Sequence, residues 1–430
     1  MPLVAAVRSN TGTHMARAGI GKTPMEAQLA AAADLPEDIH AEILARLPAK
    51  SVLRFRSVCK AWRRITTDPR FLAAHARLRP AEVVLYMYLD SALRENRPPG
   101  YAINISGEQA GHQRLVRYPE DVTDPPGPWS AIMPQHCLLL ASCDGVLLFA
   151  TKDAGSYLLC NPVTRQWTAL PKLNAGGGAV VSEYAFYFHE ASGEHRLLCG
   201  HRSPAAGVGR QTAWWVLSTG AAGPRRLVDT HGAAGLGVRG LREDQATPVA
   251  LHGRLHWPPR PDALRREVVA FDAAAETFHA MAGPRVAAAA GALIVKLFAM
   301  DGLLVAADFG EAKHVDLWFL ADYGAADRRW ECRHRVAMLP WVSGWNPFWL
   351  STRDLKAAAG DDRGNVMLAN QHGFCVYSVR TKTLRRVSCV PKRSNNLLVS
   401  RHVFRESLVQ HPGFRQARSS ADLPLIHFWR

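Results

Sequence analysis

Residues 35–71 read LPEDIHAEILARLPAKSVLRFRSVCKAWRRITTDPRF and have the spacing of several short amphipathic helices. Asp34 can cap the first helix, and Pro36 suits its first position because the missing N–H of proline has no partner there anyway. Apolar residues then recur at helical steps of three and four, at Ile39, Ile43, Leu44 and Leu47. A second helix is predicted from Val52, Leu53 and Phe55, a third from Val58, Cys59, Trp62 and Ile65, and the start of a further one from Asp68-Pro69.

This stretch contains more large apolar side chains than three short helices can bury among themselves. About 40 residues rarely build a self-sufficient core without metal, disulfides or a partner. The spacing alone leaves two interpretations open. Either the surplus side chains meet a protein partner, or the helices pack as an ordinary subdomain on the rest of the chain.

The residues themselves resemble the F-box, because most positions of that motif occur in order and without insertion. The matching residues are Leu35, Pro36, Asp38, Ile39, Ile43, Leu44, Leu47, Pro48, Lys50, Leu53, Arg56, Val58, Cys59, Lys60, Trp62, Arg63 and Phe71. The resemblance implies a three-helix fold that docks on the Skp-type adaptor of a cullin–RING ubiquitin ligase, the SCF complex. It brings no catalytic residue, because other subunits transfer the ubiquitin.

The resemblance also implies which side chains contact the adaptor. The residues carried over from the motif are Leu35, Pro36, Ile39, Ile43, Leu44, Leu47, Pro48, Leu53, Val58, Cys59 and Trp62. For some of them, Leu53 and Val58 above all, a role in holding the three helices together stays open.

Composition limits the class of protein. The 430 residues suffice for two or more domains, and no apolar run reaches the roughly 20 residues that cross a bilayer. The net charge of +15 is not arranged as one stripe, and no nucleic-acid-binding motif occurs, so we expect neither a nucleic acid nor a membrane as partner. The eight cysteines form no C-x-x-C pair and no secretory signal is found. These features predict a reduced protein of cytosol and nucleus without structural disulfides.

Changes in composition along the chain predict four segments. Alanine-rich residues 1–33 predict a disordered leader, and residues 34–78 the F-box with its three short helices. Residues 80–410 predict a β domain, and arginine-rich residues 411–430 a basic C-terminal tail.

The β domain is built from repeated units of short strands. Five units recur at a spacing of about 45–60 residues, at 138–172, 184–228, 249–284, 293–330 and 357–388, and the unit at 184–228 is the poorest copy. Four of them contain a two-residue turn: Asp144-Gly145, His252-Gly253, Asp301-Gly302 and Arg363-Gly364. Residues 81–118 predict part of a sixth unit, closed by the strand-like residues 397–409. The repetition favours a β-propeller of about six blades over a sandwich or a barrel.

These units also resemble a known domain. The segments SCDGVLLF (142–149), YLLCNPVTRQWTALP (157–171), VALHGRLHW (249–257) and VVAFDAAAETF (268–278) look like the kelch-like F-box-associated domain of plant F-box proteins. The resemblance covers roughly residues 130–390, although a clean double-glycine kelch signature is missing. An F-box followed by this domain is the arrangement of that family, and it implies a substrate receptor.

Motifs for catalysis or metal binding are weak. His252 and His256 are four residues apart but have no third ligand beside them, and no nucleophile motif occurs. The carboxylates of Asp121, Asp124, Asp361 and Asp362 lie in turn-like sequence, where they usually accept hydrogen bonds from backbone N–H groups. We therefore expect no metal and no cofactor.

Two classes of function remain. The favoured one is the substrate-recognition subunit of an SCF-type E3 ubiquitin ligase, which binds the adaptor through the F-box and the target protein through the β domain. The alternative is a propeller-type enzyme or carbohydrate-binding module with an incidental helical head. Residues 35–71 discriminate between them, because an enzyme has no need of that stretch.

One aromatic segment is a candidate for target binding. Residues 339–349, LPWVSGWNPFW, predict a loop, because Pro340 and Pro347 cannot donate to a strand ladder. Aromatic residues on loops are common in binding sites, so Trp345 and Phe348 are predicted to face the substrate. The alternative is that these rings fill the seam between two blades.

Overall fold

The computed structural model describes seventeen stretches of the chain. These are residues 35–87, 100–104, 113–117, 137–151, 155–174, 180–202, 212–228, 248–259, 267–285, 295–309, 314–324, 328–337, 356–361, 363–370, 373–387, 397–418 and 427–428. The fold consists of a helical domain followed by a β-propeller.

The helical domain contains four helices: α1 (Glu37–Arg46), α2 (Ala49–Phe55), α3 (Lys60–Thr67) and α4 (Pro69–Leu78). The first three are the helices predicted for the F-box, and α4 is the further helix predicted at Pro69. Asp68 caps α4 as expected, because its carboxylate accepts from the backbone N–H of Arg70 at 2.7 Å. The start of α1 differs from the prediction. Pro36 is the N-cap residue itself, one position before the helix, and makes no side-chain cap bond.

The strands of the described residues form six antiparallel sheets, which we number as blades in chain order. Blade 1 contains β1 (Glu82–Met87), β2 (Gly100–Asn104) and β3 (Gln113–Arg117). Blade 2 contains β4 (Cys137–Cys143), β5 (Val146–Thr151), β6 (Tyr157–Asn161) and β7 (Gln166–Ala169). Blade 3 contains β8 (Val180–His189), β9 (Glu194–Arg202), β10 (Thr212–Ser218) and β11 (Arg225–Arg226).

Blades 4 to 6 follow the same plan. Blade 4 contains β12 (Val249–Leu251), β13 (Arg254–Trp257), β14 (Glu267–Asp272) and β15 (Thr277–Ala282). Blade 5 contains β16 (Val295–Met300), β17 (Leu303–Asp308), β18 (His314–Ala321) and β19 (Arg329–Ala337). Blade 6 contains β20 (Lys356–Gly360), β21 (Asn365–Asn370), β22 (Gly373–Ser378) and β23 (Thr383–Val387). The remaining strands are β24 (Leu397–Phe404), β25 (Arg415–Gln416) and β26 (His427–Phe428).

The ring is closed by strands from the C-terminal part of the chain. Strand β24 is the inner strand of blade 1 and pairs antiparallel with β1, from Glu82 opposite Phe404 to Met87 opposite Leu397. The sixth blade predicted from residues 81–118 and 397–409 is therefore present. This pairing covers the edge of β1 that would otherwise be open, and it holds the two ends of the propeller together in one sheet.

The propeller extends into the segment that the sequence predicts to be a basic tail. Strand β25 pairs with β7 as the fifth strand of blade 2, and β26 pairs with β3 as the fifth strand of blade 1. Residues of the range 411–430 therefore contribute to two sheets. Each contribution is only two residues long, which is too short for strand periodicity to be recognised.

Three of the four two-residue turns predicted from the repeats, Asp144-Gly145, His252-Gly253 and Asp301-Gly302, join the first and second strands of their blades. The fourth prediction is wrong in length, because Arg363-Gly364 is the second half of a four-residue connection, 361–364. Asp144, His252 and Asp301 have φ values of 48°, 50° and 50°, and the glycine that follows each also has a positive φ. Positive φ at both central residues defines the hairpin turn whose twist matches that of the strands.

Apolar side chains fill the spaces between neighbouring blades. One cluster joins blades 2 and 3 around Leu148 and Leu197, and another joins blades 5 and 6 around Val305 and Leu368. No helix in the described stretches is long and apolar enough to cross a membrane. Of the eight cysteines, Cys59, Cys143 and Cys332 are free thiols.

Candidate functional site

The helical domain exposes large apolar side chains on its surface. Leu35, Ile39, Ile43 and Val58, which we call the exposed apolar set, have exposed fractions of 52%, 36%, 48% and 61%. Ile39 and Ile43 are four residues apart and therefore lie along one side of α1. Exposed large apolar side chains gathered in one small domain are typical of a protein-binding surface.

The eleven residues predicted to bind the adaptor fall into three groups. The exposed apolar set and the exposed residues Pro36, Pro48 and Cys59 are accessible to a partner. Leu47, Leu53 and Trp62 are half-buried, and each packs against the core of the helical domain. These three contribute to both the core and the surface.

Leu44 differs from the other predicted contacts because only 2% of its surface is exposed. It lies in the core of the helical domain with Val52, Ile65 and Phe71, so it holds the helices together. The packing role considered for Val58 is wrong, since that side chain is the most exposed of the set. Helix α1 thus has two apolar stripes, one that packs inward and one that faces solvent.

Trp62 on α3 contacts both of the preceding helices. Its ring centroid lies 6.1 Å from that of His40 on α1 and 5.2 Å from that of Phe55 on α2. The Sγ atom of Cys59 accepts from the backbone N–H of Trp62 at 3.4 Å and caps α3. The guanidinium of Arg64 on α3 donates to Glu37 on α1 at 2.6 Å.

A segment that follows β24, residues 405–411, packs between the helical domain and the propeller. We call it the strap. Leu408 of the strap is buried in the core of the helical domain with Leu44 and Phe71, and Val163 of blade 2 packs against the same cluster. The helical core is therefore completed by side chains from the propeller.

Polar contacts bind the strap to the helices. The Glu406 carboxylate accepts from the backbone N–H of Ala49 at 3.0 Å, at the first residue of α2. Pro48, the N-cap residue of α2, has no side-chain group that could accept this bond. The guanidinium of Arg405 donates to the carbonyl oxygen of Arg79 at 3.0 Å, and Arg79 donates to that of Ala45 at 3.2 Å.

The other side of the strap is bound to blade 2. The amide of Asn161 donates to the Ser407 carbonyl oxygen at 3.0 Å, and the backbone N–H of His411 donates to the side-chain oxygen of Gln166 at 3.2 Å. Gly145 approaches the strap so closely that a Cβ atom there would overlap the Cβ of Ser407. The strap therefore lies between the helices and one blade, in contact with both.

The junction contains buried ionisable groups. The pKa of Glu82 is raised to about 8, chiefly by burial and also by the nearby Glu406 carboxylate, while the Arg79 guanidinium opposes the shift. Burial lowers the pKa of Arg79 and that of His75, whose Nε2 lies 3.0 Å from the carbonyl oxygen of Leu47. Glu82 therefore keeps its proton at neutral pH.

The helices and strap lie on one face of the propeller. Antiparallel neighbours place the connections between first and second strands, and between third and fourth strands, at the same ends of the blades. The strap contacts both connections of blade 2, at Gly145 and at Asn161. By the same alternation, the fourth strand of one blade ends and the first strand of the next begins at the opposite face, which we call the far face.

The other predicted site residues have structural roles or fall outside the described ranges. Trp345, Phe348, Asp121, Asp124 and Asp362 lie outside the described residues. The ring of His256 is buried and hydrogen-bonds to the Val249 carbonyl oxygen at 3.0 Å and to the Tyr323 hydroxyl at 2.7 Å. His252 lies in a turn, with Nε2 3.1 Å from the Gly302 carbonyl oxygen. Across the described stretches, no three His, Cys, Asp or Glu side chains are grouped so as to hold a metal ion.

Asp361 shows the capping role predicted for turn carboxylates. Its side chain accepts from the backbone N–H groups of Arg363 and Asn365 at 2.9 and 2.8 Å. The second carboxylate oxygen accepts from the amide of Asn365 at 2.7 Å. All of these bonds lie within the turn that joins β20 to β21, so the carboxylate organises the turn.

Comparison with known proteins agrees with this geometry. Residues 33–73 match the model of the F-box domain. An Arabidopsis thaliana F-box protein (At3g07870) is 24% identical over 309 residues, which cover 68% of this chain and 70% of that protein. Another Arabidopsis thaliana relative, named for an F-box and kelch repeats (At3g17570), is 29% identical over 143 residues, about a third of each chain. The chain therefore carries an F-box domain followed by a β-propeller, and its relatives include plant F-box proteins.

Solved structures add little to this comparison. TolB from Acinetobacter baumannii aligns with 80% of this chain and 73% of its own, at 9% identity and a TM-score of 0.37. A likeness at that level carries no argument about this protein.

Proposed function

We propose that this chain is the substrate-recognition subunit of an SCF-type E3 ubiquitin ligase. Its F-box binds the Skp-type adaptor, through which it joins the cullin and RING subunits, and its propeller binds the target protein. In this role the chain supplies no catalytic group. The main observation in support of this proposal is that a domain that matches the F-box exposes four large apolar side chains, those of Leu35, Ile39, Ile43 and Val58.

The burial of these side chains by a partner favours association. Removal of a leucine or isoleucine side chain from water is worth roughly 1.5–3 kcal/mol when it is complete. Side chains at the centre of an interface contribute most, and their truncation typically costs about 2 kcal/mol or more. Ile39 and Ile43 are the best test residues, because they are exposed and their loss leaves the helical core intact.

The target is proposed to bind at the far face of the propeller. The helices and strap occupy the other face, so a target on the far face leaves the F-box accessible to the adaptor. Strand β19 ends at Ala337 and β20 begins at Lys356, and both of these strand ends lie at the far face; the segment between them is outside the described residues. Trp345 and Phe348 belong to that segment, which supports their proposed role in target binding.

The adaptor part of the proposal is tested with the purified full-length chain and a purified plant Skp-type adaptor. We expect binding by the wild type and at least about 30-fold weaker binding by Ile39→Ala with Ile43→Ala. The matched control is Val228→Ala, an exposed apolar residue of the propeller, which should bind normally. No binding by the folded wild type, or wild-type affinity of the double variant, would contradict the proposal.

The target part is tested by Trp345→Ala with Phe348→Ala. If both rings face a partner, the melting temperature stays close to that of the wild type while capture of a target is lost. If the rings fill a seam between blades, the change instead costs about 3–5 kcal/mol per ring. A large loss of stability would therefore refute this role.

The location in cytosol and nucleus is also a proposal. It is supported by the free thiols of Cys59, Cys143 and Cys332. A fluorescent fusion of the full-length chain should show diffuse signal in both compartments, and a signal confined to the secretory pathway would contradict it.

A further inference from the structure

We propose that Glu406 and Leu408 of the strap position the adaptor-binding surface, so that adaptor affinity depends on closure of the propeller. This inference rests on the proposed function. In this role both residues act indirectly. They hold the helices beside the exposed apolar set in place and do not bind the adaptor themselves.

The first step is the contact of Leu408 with the helical core. Leu408 is 1% exposed and belongs to the same cluster as Leu44, Ile65 and Phe71. Leu44 is the immediate neighbour of Ile43 on α1, so the packing that fixes Leu44 also fixes the direction of Ile43. Loss of the Leu408 side chain would leave a void beneath α1, which the surrounding helices fill only by moving.

The second step is the contact of Glu406 with α2. The carboxylate accepts from the backbone N–H of Ala49, a bond that the N-cap residue Pro48 cannot make because its side chain has no acceptor. A carboxylate at this end also interacts favourably with the helix dipole. Helix α2 leads directly to Val58 and Cys59, so fraying of α2 would displace the second part of the surface.

The third step is the dependence of the strap on the propeller. The strap begins directly after β24, the strand that closes the ring by pairing with β1. It is then held by Asn161 and Gln166 of blade 2. If β24 leaves the ring, Glu406 and Leu408 leave the helices with it. An unclosed propeller would therefore present a distorted F-box and bind the adaptor weakly.

The test uses full-length variants, measured well below their melting temperatures. We expect Leu408→Ala to weaken adaptor binding more than about tenfold and Glu406→Ala about three- to tenfold. Leu408→Met and Glu406→Gln keep the volume and an acceptor oxygen, so they should restore affinity to within about threefold of the wild type.

The matched controls are Leu320→Ala and Leu368→Ala. Both leucines are 0% exposed and lie in blades 5 and 6 of the propeller, away from the strap. They should lower the melting temperature as much as Leu408→Ala and leave adaptor affinity unchanged. This comparison separates a positioning role from a general loss of stability.

Hydrogen exchange gives a readout that does not need the adaptor. Glu406→Ala and Leu408→Ala should increase exchange at the amides of residues 49–58, and the two controls should not. If the wild type fails to bind the adaptor, the proposed function fails while the exchange result still decides the positioning role. When the adaptor does bind, reciprocity requires that it slow exchange in residues 405–411. Wild-type affinity together with unchanged exchange in the strap variants would overturn the inference.

Discussion

The carboxylate of Glu406 accepts a hydrogen bond from the backbone N–H of Ala49, although the two residues are 357 positions apart. The contact joins the end of the propeller to the second helix of the F-box. Leu408 adds an apolar contact to the same domain. Adaptor-binding and target-binding surfaces are therefore proposed to lie on two parts of one packed body, with the strap between them.

Glu82 should make stability depend on pH in an unusual direction for a carboxylate. The pKa of this carboxyl group is raised to about 8 in the folded protein, chiefly by burial, whereas its ordinary value in an unfolded chain is 4.5. The contribution of Glu82 to the free energy of unfolding is therefore fully present below pH 4.5 and is lost as the pH rises towards 8. We predict that Glu82→Gln stabilises the protein by a few kcal/mol at pH 8 and much less at pH 5.

Urea denaturation at the two pH values measures this effect. The control is Glu42→Gln, because the Glu42 carboxylate is 56% exposed. The control should give the same difference from wild type at both pH values. An equal effect of Glu82→Gln at pH 5 and pH 8 would rule out the buried protonated carboxyl.

Two buried histidines should make the stability fall as the pH is lowered, which is opposite to the dependence expected from Glu82. His195 and His411 pack at nearly right angles with ring centroids 4.7 Å apart, and neither Nε2 atom has a hydrogen-bond partner among the described residues. Burial lowers the pKa of His195 to about 3, with a further contribution from His411, and burial lowers that of His411 to about 4. Both rings are neutral when folded and become charged when unfolded below pH 6.5. Their contribution is present above pH 6.5 and is lost as the pH falls through the folded pKa values.

We predict that His411→Phe reduces the loss of stability between pH 7.5 and pH 4.5. The loss due to one such histidine is on the order of 2–3 kcal/mol over this range, because each pKa unit is worth about 1.4 kcal/mol. The phenyl ring can keep the aromatic contacts with Phe188 and Phe414. Melting temperatures recorded across the pH range provide the measurement. A variant as sensitive to acid as the wild type would show that His411 is not responsible.

The sequence predicted the features of the fold that depend on neighbouring residues. Turn chemistry at Asp144-Gly145, His252-Gly253 and Asp301-Gly302 identified three blades, and all three pairs have the positive φ values that such turns require. Blades 3 and 6 depart from this pattern, because their first two strands are joined by four residues, 190–193 and 361–364. In both connections the final glycine, Gly193 or Gly364, has a positive φ, so the glycine is the part of the turn signal that these blades share with the others.

The contacts of the strap could not be predicted in the same way. Glu406 and Leu408 follow a strand-like stretch, and no local pattern distinguishes them from strand residues. Their partners are about 350 positions away, and a single sequence contains no signal for pairs at that distance. Likewise, helical spacing could not show that Leu44 faces inward while Ile43 faces solvent, because both stripes of α1 are apolar.

This division of α1 leads to a prediction that separates stability from binding. Leu44→Ala removes a core side chain and should cost about 2–5 kcal/mol. Ile43→Ala removes a side chain that is 48% exposed and should cost less than about 1 kcal/mol while it weakens adaptor binding. Urea unfolding and adaptor titration of both variants check the prediction. Equal losses of stability would contradict the assignment of the two stripes.

Two glycines in equivalent turns provide the last prediction. Gly145 and Gly253 have φ values of +82° and +70°, so alanine at either position carries the penalty of the left-handed region, about 1–2 kcal/mol. Around Gly253 no atom of the described residues beyond its chain neighbours lies within 4 Å of an added Cβ, whereas at Gly145 that Cβ would overlap Ser407 and lie 3.0 Å from the Arg405 carbonyl oxygen. Gly145→Ala should therefore push the strap away from blade 2 and cost about 1–3 kcal/mol more than Gly253→Ala. Denaturation of the two variants in parallel measures the difference, and equal costs would show that the strap does not lie against this turn.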